Sequence, residues 1–323
     1  MNPAGEILKR LLLAAPTLLG VTLVTFLVVQ AAPGDPARIA AGVPAAGVDG
    51  ARVEARLRRF MGLDRPPLER YLDWAGRAVL LDFGPALDGE PVRDKLARAL
   101  PPTLILGAAS LVLGLLLAIP LGVFGASRAG SWPDKLLFNL LLLLHSTPSW
   151  LAGLVLILLF GSILPFQGWR STGWEDLPLL PALWDAARHS ILILLAVLLP
   201  GLAHDALFVR QAVLAELDKG YVLAARALGL PERRVLWGRA FRNALVPILT
   251  LAGASLPGLL AGSVILEQIF SWPGIGRLFF QALQARDYPV IMAVTTLSAF
   301  LVTAGNLLAD VLSVLADPRL RRG

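Results

Sequence analysis

Long stretches without a charged side chain recur along the chain, with charged residues grouped between them. A helix needs roughly 20 apolar residues, rising about 1.5 Å each, to cross the hydrocarbon core of a bilayer. Each stretch therefore predicts a membrane span; the fourth is short, and we extend it back through Asp185 and Arg188. The charge-free windows are 11–34, 99–127, 136–169, 189–204, 243–266 and 288–309. The predicted spans are about residues 11–32, 99–127, 136–164, 184–208, 243–266 and 288–312.

The basic residues predict the orientation of these spans. Placing the N-terminus inside the cell leaves fourteen Lys and Arg residues in the inner segments and four Arg residues in the two short outer loops. Inner loops carry the basic excess in membrane proteins, whereas long loops cross regardless of charge. The chain is thus predicted to be an all-α, polytopic protein of the cell (inner, cytoplasmic) membrane. It has six spans, both termini in the cytoplasm, and an external segment, residues 33–98.

The external segment has helical periodicity of its own. Apolar residues recur at Val53, Leu57, Phe60 and Met61 among arginines, and Gly62 follows. This spacing predicts a short amphipathic helix. Two interpretations stay open: a helix packed on the outer face of the membrane domain, and a docking surface for an external substrate carrier.

Composition excludes several other classes of protein. Hydrophobic residues make up 56% of the 323 residues and charged residues 16%, against about 25% charged in ordinary soluble domains. The net charge of +6 is dispersed between apolar runs, so we expect no nucleic-acid partner. With no Cys and three scattered His, the chain predicts no metal site, and no set of residues predicts a catalytic site.

Small residues form stripes along two predicted spans. Four-residue spacing places such residues on one helix face, where a second helix can approach closely. Packing is the interpretation we adopt, and lining of a translocation path is the alternative. The residues predicted to pack are Ser110, Gly114, Ala118 and Gly122 in the second span, with Gly258 and Gly262, after Ala254, in the fifth.

A few polar residues lie within or beside the spans, where they are costly and therefore invite a functional interpretation. Asn306 and Asp310 are one turn apart, and Asp205 and Arg210 follow the fourth charge-free window. We expect these to be paired or to reach the membrane surface. His145 precedes the Ser-Thr-Pro-Ser sequence and is interpreted as a residue of a helix bend.

The longest inner loop, residues 210–243, predicts a helix, a sharp turn and a second helix. Good helix formers run from Val222 to Leu228, Gly229 stands at a helix end, Pro231 follows, and Glu232 starts the next helix. We expect Ala224 and Ala225 to enter a groove on a partner. The residues of this loop predicted to contact a soluble partner are Tyr221, Ala224, Ala225, Arg226, Ala227, Gly229, Leu230 and Pro231.

This loop resembles that of permeases of ATP-binding-cassette importers, in which an Ala-Ala pair precedes a glycine by four residues. The chain is most similar to the dipeptide/oligopeptide group, which also includes nickel and glutathione importers. One departure is Leu223, where an acidic residue often stands. Further matches are APGDPA (32–37), GLDRPPLERYLDW (62–74), STPSW (146–150), EQIFSWPGIG (267–276), RDYP (286–289) and DPR (317–319).

The resemblance implies a type I importer permease and its partners. These are a second homologous permease, two ATPase subunits, an external substrate-binding protein and the surrounding membrane lipid. The loop residues named above would couple this chain to an ATPase. ATP and Mg would be bound by the ATPase chains and no cofactor by this one. In agreement, none of the four lysines is followed by Ser or Thr, as a phosphate-binding loop requires. The alternatives are a membrane-embedded enzyme and a self-sufficient channel or secondary transporter.

Overall fold

The computed structural model describes residues 3–41, 49–261 and 263–316. Within these ranges the regular structure is helical apart from one isolated bridge between Pro85 and Pro91, so the predicted all-α class is confirmed there. A 3₁₀ turn spans Trp174–Asp176 and a π-helix spans Leu236–Phe241. The α-helices are α1 (Pro3–Ala31), α2 (Pro36–Ala41), α3 (Gly50–Phe60), α4 (Pro67–Ala78), α5 (Val92–Ser127), α6 (Trp132–Ser146), α7 (Ser149–Phe160), α8 (Leu179–Leu217), α9 (Gly220–Ala227), α10 (Glu232–Val235), α11 (Arg242–Ala261), α12 (Val264–Ile269), α13 (Ile275–Ala285) and α14 (Tyr288–Ala316).

Three of the described helices are long and apolar enough to cross a membrane, namely α5, α8 and residues Tyr288–Ala309 of α14. The bent pair α6 and α7 makes a fourth if it counts as one span, and Ala15–Ala31 of α1 is a shorter apolar stretch. Leu116, Leu143 and Leu158 are exposed, as residues that face lipid would be. The protein is therefore a helical membrane protein; the count of six spans stays a prediction.

Two pairs of packed helices form the centre of the molecule, the first of them parallel. Helix α5 packs along α8, and α11 packs along α14. Val123 of α5 and Val209 and Val213 of α8 are buried in one cluster with Ile248 of α11. Helix α1 packs on α14. Helix α5 begins at Val92, before the start of the predicted span at residue 99, because Val92 and Leu96 pack against α13 and α14.

The predicted third span, residues 136–164, is not one continuous helix. The structure divides it into α6 and α7, which meet at an angle of 103°. Thr147 adopts an extended conformation (φ −85°, ψ 119°) and Pro148 follows it. The proline ring disfavours a helical conformation at the preceding residue and removes a backbone donor, so the helix ends there.

The helix that contains the fourth predicted span, residues 184–208, extends beyond it at both ends. Helix α8 has 39 residues and continues to Leu217. Arg210 lies within α8 and pairs with a residue of another helix. Its Nε and Nη2 donate to the two carboxylate oxygens of Asp134 on α6, at 2.7 and 2.8 Å. This buried ion pair ties α8 to α6 and allows the helix to carry a charge.

The external segment packs on the membrane helices. Helix α3 has the predicted amphipathic position, with Asp49 accepting a hydrogen bond from the Ala51 N–H at its start. In α4, Tyr71 is buried against Phe26 of α1 and Met292 of α14, and its hydroxyl is 3.0 Å from that of Thr22. Helix α4 makes these contacts, whereas α3 packs on α2. Both interpretations of α3, packing on the membrane domain and docking of an external carrier, stay predictions.

Candidate functional site

The segment between α8 and α11 is a folded unit of three short helical pieces. Helix α9 follows α8 after Asp218 and Lys219, α10 begins after Pro231, and the π-helix runs from α10 into α11. The sequence predicted the helix, the turn and the second helix, but not the π-helix. Trp237 and Phe241 lie in it with their rings 5.1 Å apart. A π-bulge of this kind often marks a functional position in a helix.

A glycine ends α9. Gly229 has φ +75°, a left-handed conformation that costs glycine little. The Gly229 N–H donates to the Arg226 carbonyl at 2.9 Å, and the Leu230 N–H donates to the Ala225 carbonyl at 3.2 Å. These two bonds are those of a Schellman motif, which satisfies the last carbonyls of a helix. The chain is thereby reversed at a fixed point and leads into α10.

One face of α9 is buried within its own chain. Val222 and Ala225 form a small cluster with Val235 of α10, against which Leu217 and Leu230 pack. Ala225 is only 6% exposed. Our expectation that Ala225 enters a groove on a partner is therefore wrong for this residue. Its small side chain instead lets α9 approach α10 closely.

The opposite face of α9 is apolar and uncovered in this chain. Leu223 is 57% exposed and Leu228 is 82% exposed. Ala224 and Ala227 are also exposed and complete the spacing i, i+1, i+4, i+5 of one helix face. We call Leu223, Ala224, Ala227 and Leu228 the α9 outer face. Leu223, noted above as a departure from the usual acidic residue, belongs to this surface.

Ion pairs and hydrogen bonds fix α9 at both ends. The Arg226 guanidinium donates to both carboxylate oxygens of Glu232, at 3.1 and 2.6 Å. These hydrogen bonds lower the pKa of Glu232 from its ordinary value. Lys219 and the hydroxyl of Tyr221 each donate to Glu216 at 2.6 Å. Because such bonds are shared between α8, α9 and α10, they favour movement of the three as one unit.

The residues predicted to pack lie in different surroundings. Ser110, Gly114, Ala118 and Gly122 are all buried in α5. A Cβ at Gly122 would lie 2.6 Å from the Val209 side chain of α8. Gly258 is exposed, with no described atom within 4 Å of its Cβ position, and Gly262 lies outside the described residues. The close approach on α11 is made instead at Gly253, where an added Cβ would lie 3.3 Å from the Cα atom of Ala309.

The polar residues of the spans are not brought into one cluster. His145 stacks on His204 of α8 with ring centroids 5.5 Å apart, next to the break between α6 and α7. Asn306 is exposed, and the side chain of Asp310 lies outside the described part of the chain. No group of three His, Asp or Glu side chains that could hold a metal ion occurs among the described residues.

A buried carboxylate organises the loop between α12 and α13, and sequence reasoning did not single it out. Glu267 accepts hydrogen bonds from the Thr103 hydroxyl of α5 and from the Arg277 N–H, both at 3.0 Å. The Thr103 oxygen in turn accepts from the Ile275 N–H at 2.9 Å. The only signal for Glu267 in the sequence was its position as the first residue of EQIFSWPGIG. The arrangement fastens this loop to α5.

Comparison with known proteins gives one consistent result. Residues 118–322 match the family described as binding-protein-dependent transport system inner membrane component. The oligopeptide transport system permease protein AppB of Bacillus subtilis is 38% identical over 320 residues, covering 98% of this chain and 99% of that protein. A putative peptide transport system permease of Brucella abortus is 37% identical over 319 residues, covering 98% of each chain.

A third relative carries a different substrate in its name. The glutathione transport system permease protein GsiC of Escherichia coli O1:K1 / APEC is 35% identical over 316 residues, covering 98% of each chain. These relatives are transport permeases rather than enzymes, and the match extends over nearly the whole chain. This chain therefore belongs to the binding-protein-dependent inner membrane components, as a permease of the dipeptide/oligopeptide family of ATP-binding-cassette importers.

Proposed function

We propose that this chain forms half of a peptide translocation path and that α9 transmits the work of ATP hydrolysis to it. A second, related permease completes the path, two ATPase subunits dock on the cytoplasmic side, and an external binding protein delivers the substrate. In this proposal the chain has six spans with both termini in the cytoplasm, and residues 33–98 lie outside. The chain binds no nucleotide itself; ATP and Mg are held by the ATPase chains.

The α9 outer face is the observation that carries the proposal. Four apolar side chains are exposed on this face of α9, and the other face packs against α8 and α10. A movement of α9 should therefore be transmitted to α8, because no flexible loop separates them. Around it, seven basic and three acidic residues lie between Arg210 and Arg242. An apolar centre with a charged rim is typical of a protein docking surface.

Peptides are the proposed substrate class. Two of the three relatives described above are named for peptide or oligopeptide transport and one for glutathione, itself a short peptide. Growth of a strain that needs a peptide-borne amino acid would test this directly. Deleting this chain should abolish growth on di- or oligopeptides but not on the free amino acid. Unchanged growth on every peptide would contradict the substrate class.

The docking role is tested by a charge placed on the α9 outer face. Leu228→Glu should bury a carboxylate in the contact and weaken ATPase retention by about tenfold or more, as expected when a central contact worth roughly 2 kcal/mol is lost. The matched control is Leu80→Glu, the same substitution at a residue that is 80% exposed in the external segment. Copurification of the ATPase chains and peptide uptake would be measured for both variants. Equal behaviour of the two variants would exclude docking through this face.

A further inference from the structure

A cavity of about 330 Å³ lies between the external segment and the ends of two membrane helices. Its apolar wall comes from Phe26 and Val29 near the end of α1 and from Met292 near the start of α14. A volume of this size is at the lower end of the range for small-molecule sites. The cavity is remote in sequence from α9 and has no part in the function proposed above.

The polar wall of this cavity is strongly basic. It contains one carboxylate, Asp73, which is shared by Arg77 at 3.1 Å and Arg65 at 3.8 Å. Arg59 and Arg70 also line it, and neither is within ion-pair distance of a carboxylate among the described residues. Four guanidinium groups against one carboxylate leave three positive charges around a single cavity. We call it the arginine cavity.

Arg70 has only uncharged partners beside the arginine cavity. It is half buried, its guanidinium donates to the amide oxygen of Gln30 and lies over the face of Phe26, and burial lowers its pKa. A half-buried cation without a carboxylate partner calls for an anionic acceptor.

The position of the cavity decides which anion fits. Apolar helices α1 and α14 end beside it, which is the level of the phosphates in a bilayer. Leu68 and Leu72 on α4 do not line the cavity and are exposed, so α4 has the apolar surface of a helix that lies in the membrane interface. Phe26, Val29 and Met292 are already buried by this chain, whereas Leu68 and Leu72 on α4 are not. A free anion in the cavity would leave these two leucines uncovered, and a lipid would cover them with its acyl chains.

We propose that the arginine cavity binds the phosphate headgroup of an anionic phospholipid, with Arg59 and Arg70 as its two free cations. In the topology proposed above this lipid belongs to the outer leaflet. Bound there, it bridges α4 to the ends of α1 and α14. It would therefore hold the external segment against the membrane helices.

Native mass spectrometry of the purified, delipidated transporter would test the lipid site. The probes are palmitoyl-oleoyl phosphatidylglycerol, the zwitterionic palmitoyl-oleoyl phosphatidylcholine, glycerol 1-phosphate and inorganic phosphate. We expect phosphatidylglycerol to bind most tightly. Glycerol 1-phosphate and inorganic phosphate should not displace it at equal concentration. Displacement by either would assign the cavity to a free anion, and displacement by a dipeptide would assign it to substrate; both results would overturn the lipid proposal.

Paired arginine variants connect the binding to the cavity. Arg59→Gln/Arg70→Gln should weaken phosphatidylglycerol binding by about tenfold or more, from a contribution of roughly fivefold for each cation near a membrane surface. Arg52→Gln/Arg56→Gln removes the same charge from exposed positions on α3 outside the cavity and should change binding by less than about twofold. Equal losses in both pairs would overturn the site.

A single variant keeps the test decisive if the double variant does not assemble. The Nε of Arg59 bonds only to the Ala55 carbonyl, at 3.4 Å, and its side chain is exposed, so Arg59→Gln should leave the fold intact. Its expected loss of affinity is about fivefold. Binding at the level of the unmodified protein would contradict a role for the arginine cavity.

Discussion

Gly229 gives α9 its defined end. Its φ of +75° lies in the left-handed region, and no described atom lies within 4 Å of its Cβ position. A side chain there meets no steric obstacle from its neighbours, so the cost of substitution comes from the backbone conformation alone. That cost is about 1 kcal/mol for a non-glycine residue.

Gly229→Ala should therefore loosen the turn without disturbing the surrounding packing. Gly220→Ala is the matched control, since its Cβ position is equally open but its φ is not positive. Hydrogen exchange of residues 220–230 in the purified protein would report the difference. We expect faster exchange, by roughly fivefold, in the first variant only. Similar exchange in both variants would show that the turn does not depend on glycine.

Among elements, the closeness of α5 and α8 is set by the small residues between them. At Gly122 a Cβ would lie 2.6 Å from Val209 and 2.7 Å from the Ala206 carbonyl, closer than side chains can pack. Gly114 lies about two turns earlier on the same face of α5. A Cβ there would have the Leu198 side chain as its nearest neighbour, at 3.6 Å, which is an ordinary contact. The two glycines share a face but differ in how much room they leave.

The prediction is that Gly122→Ala destabilises the protein and Gly114→Ala does not. Overpacking of this kind costs about 1–3 kcal/mol. The melting temperature in detergent should fall for Gly122→Ala and stay within error for Gly114→Ala. Since Ala has a higher helix propensity than Gly, any fall must come from packing. A fall of the same size for both variants would contradict a close approach specific to Gly122.

Helix positions followed from the sequence, whereas helix ends and breaks often did not. Charge-free windows mark the segments that can contact lipid, but a helix continues past such a window when its next charged residue has a partner. Helix α8 continues past Arg210 because Arg210 pairs with Asp134, 76 positions away, and sequence spacing alone does not reveal this pair. Pro148 was visible as a bend, yet the 103° angle depends on how α7 packs against α8 and α12.

The candidate site shows the same division. The turn at Gly229 could be predicted because its signal is local: a glycine at a helix end with Pro231 two positions on. Which face of α9 is buried could not, because burial of Ala225 depends on Val235 of α10 across the turn. The arginine cavity was also hidden, since α1, α4 and α14 come together only in the folded chain.

At the scale of the whole molecule, the proposed orientation places the external segment and α9 on opposite sides of the membrane. Ala51 in α3 and Ala129 after α5 are small and exposed, and the chain contains no Cys. Single cysteines at these two positions should react with an impermeant thiol reagent from opposite sides of the membrane. Labelling is expected in intact cells for Ala51→Cys and only after permeabilisation for Ala129→Cys. Labelling of both from the same side would contradict the proposed topology.

The central claim is that the α9 outer face contacts the ATPase. A photo-crosslinking amino acid placed at Leu228 in the assembled transporter tests it most directly, with the same residue at Leu80 in the external segment as the control. The account predicts a crosslink from position 228 to an ATPase chain, identified by mass spectrometry, and none from position 80. Absence of any ATPase crosslink from position 228, in a complex that still contains the ATPase, would contradict it.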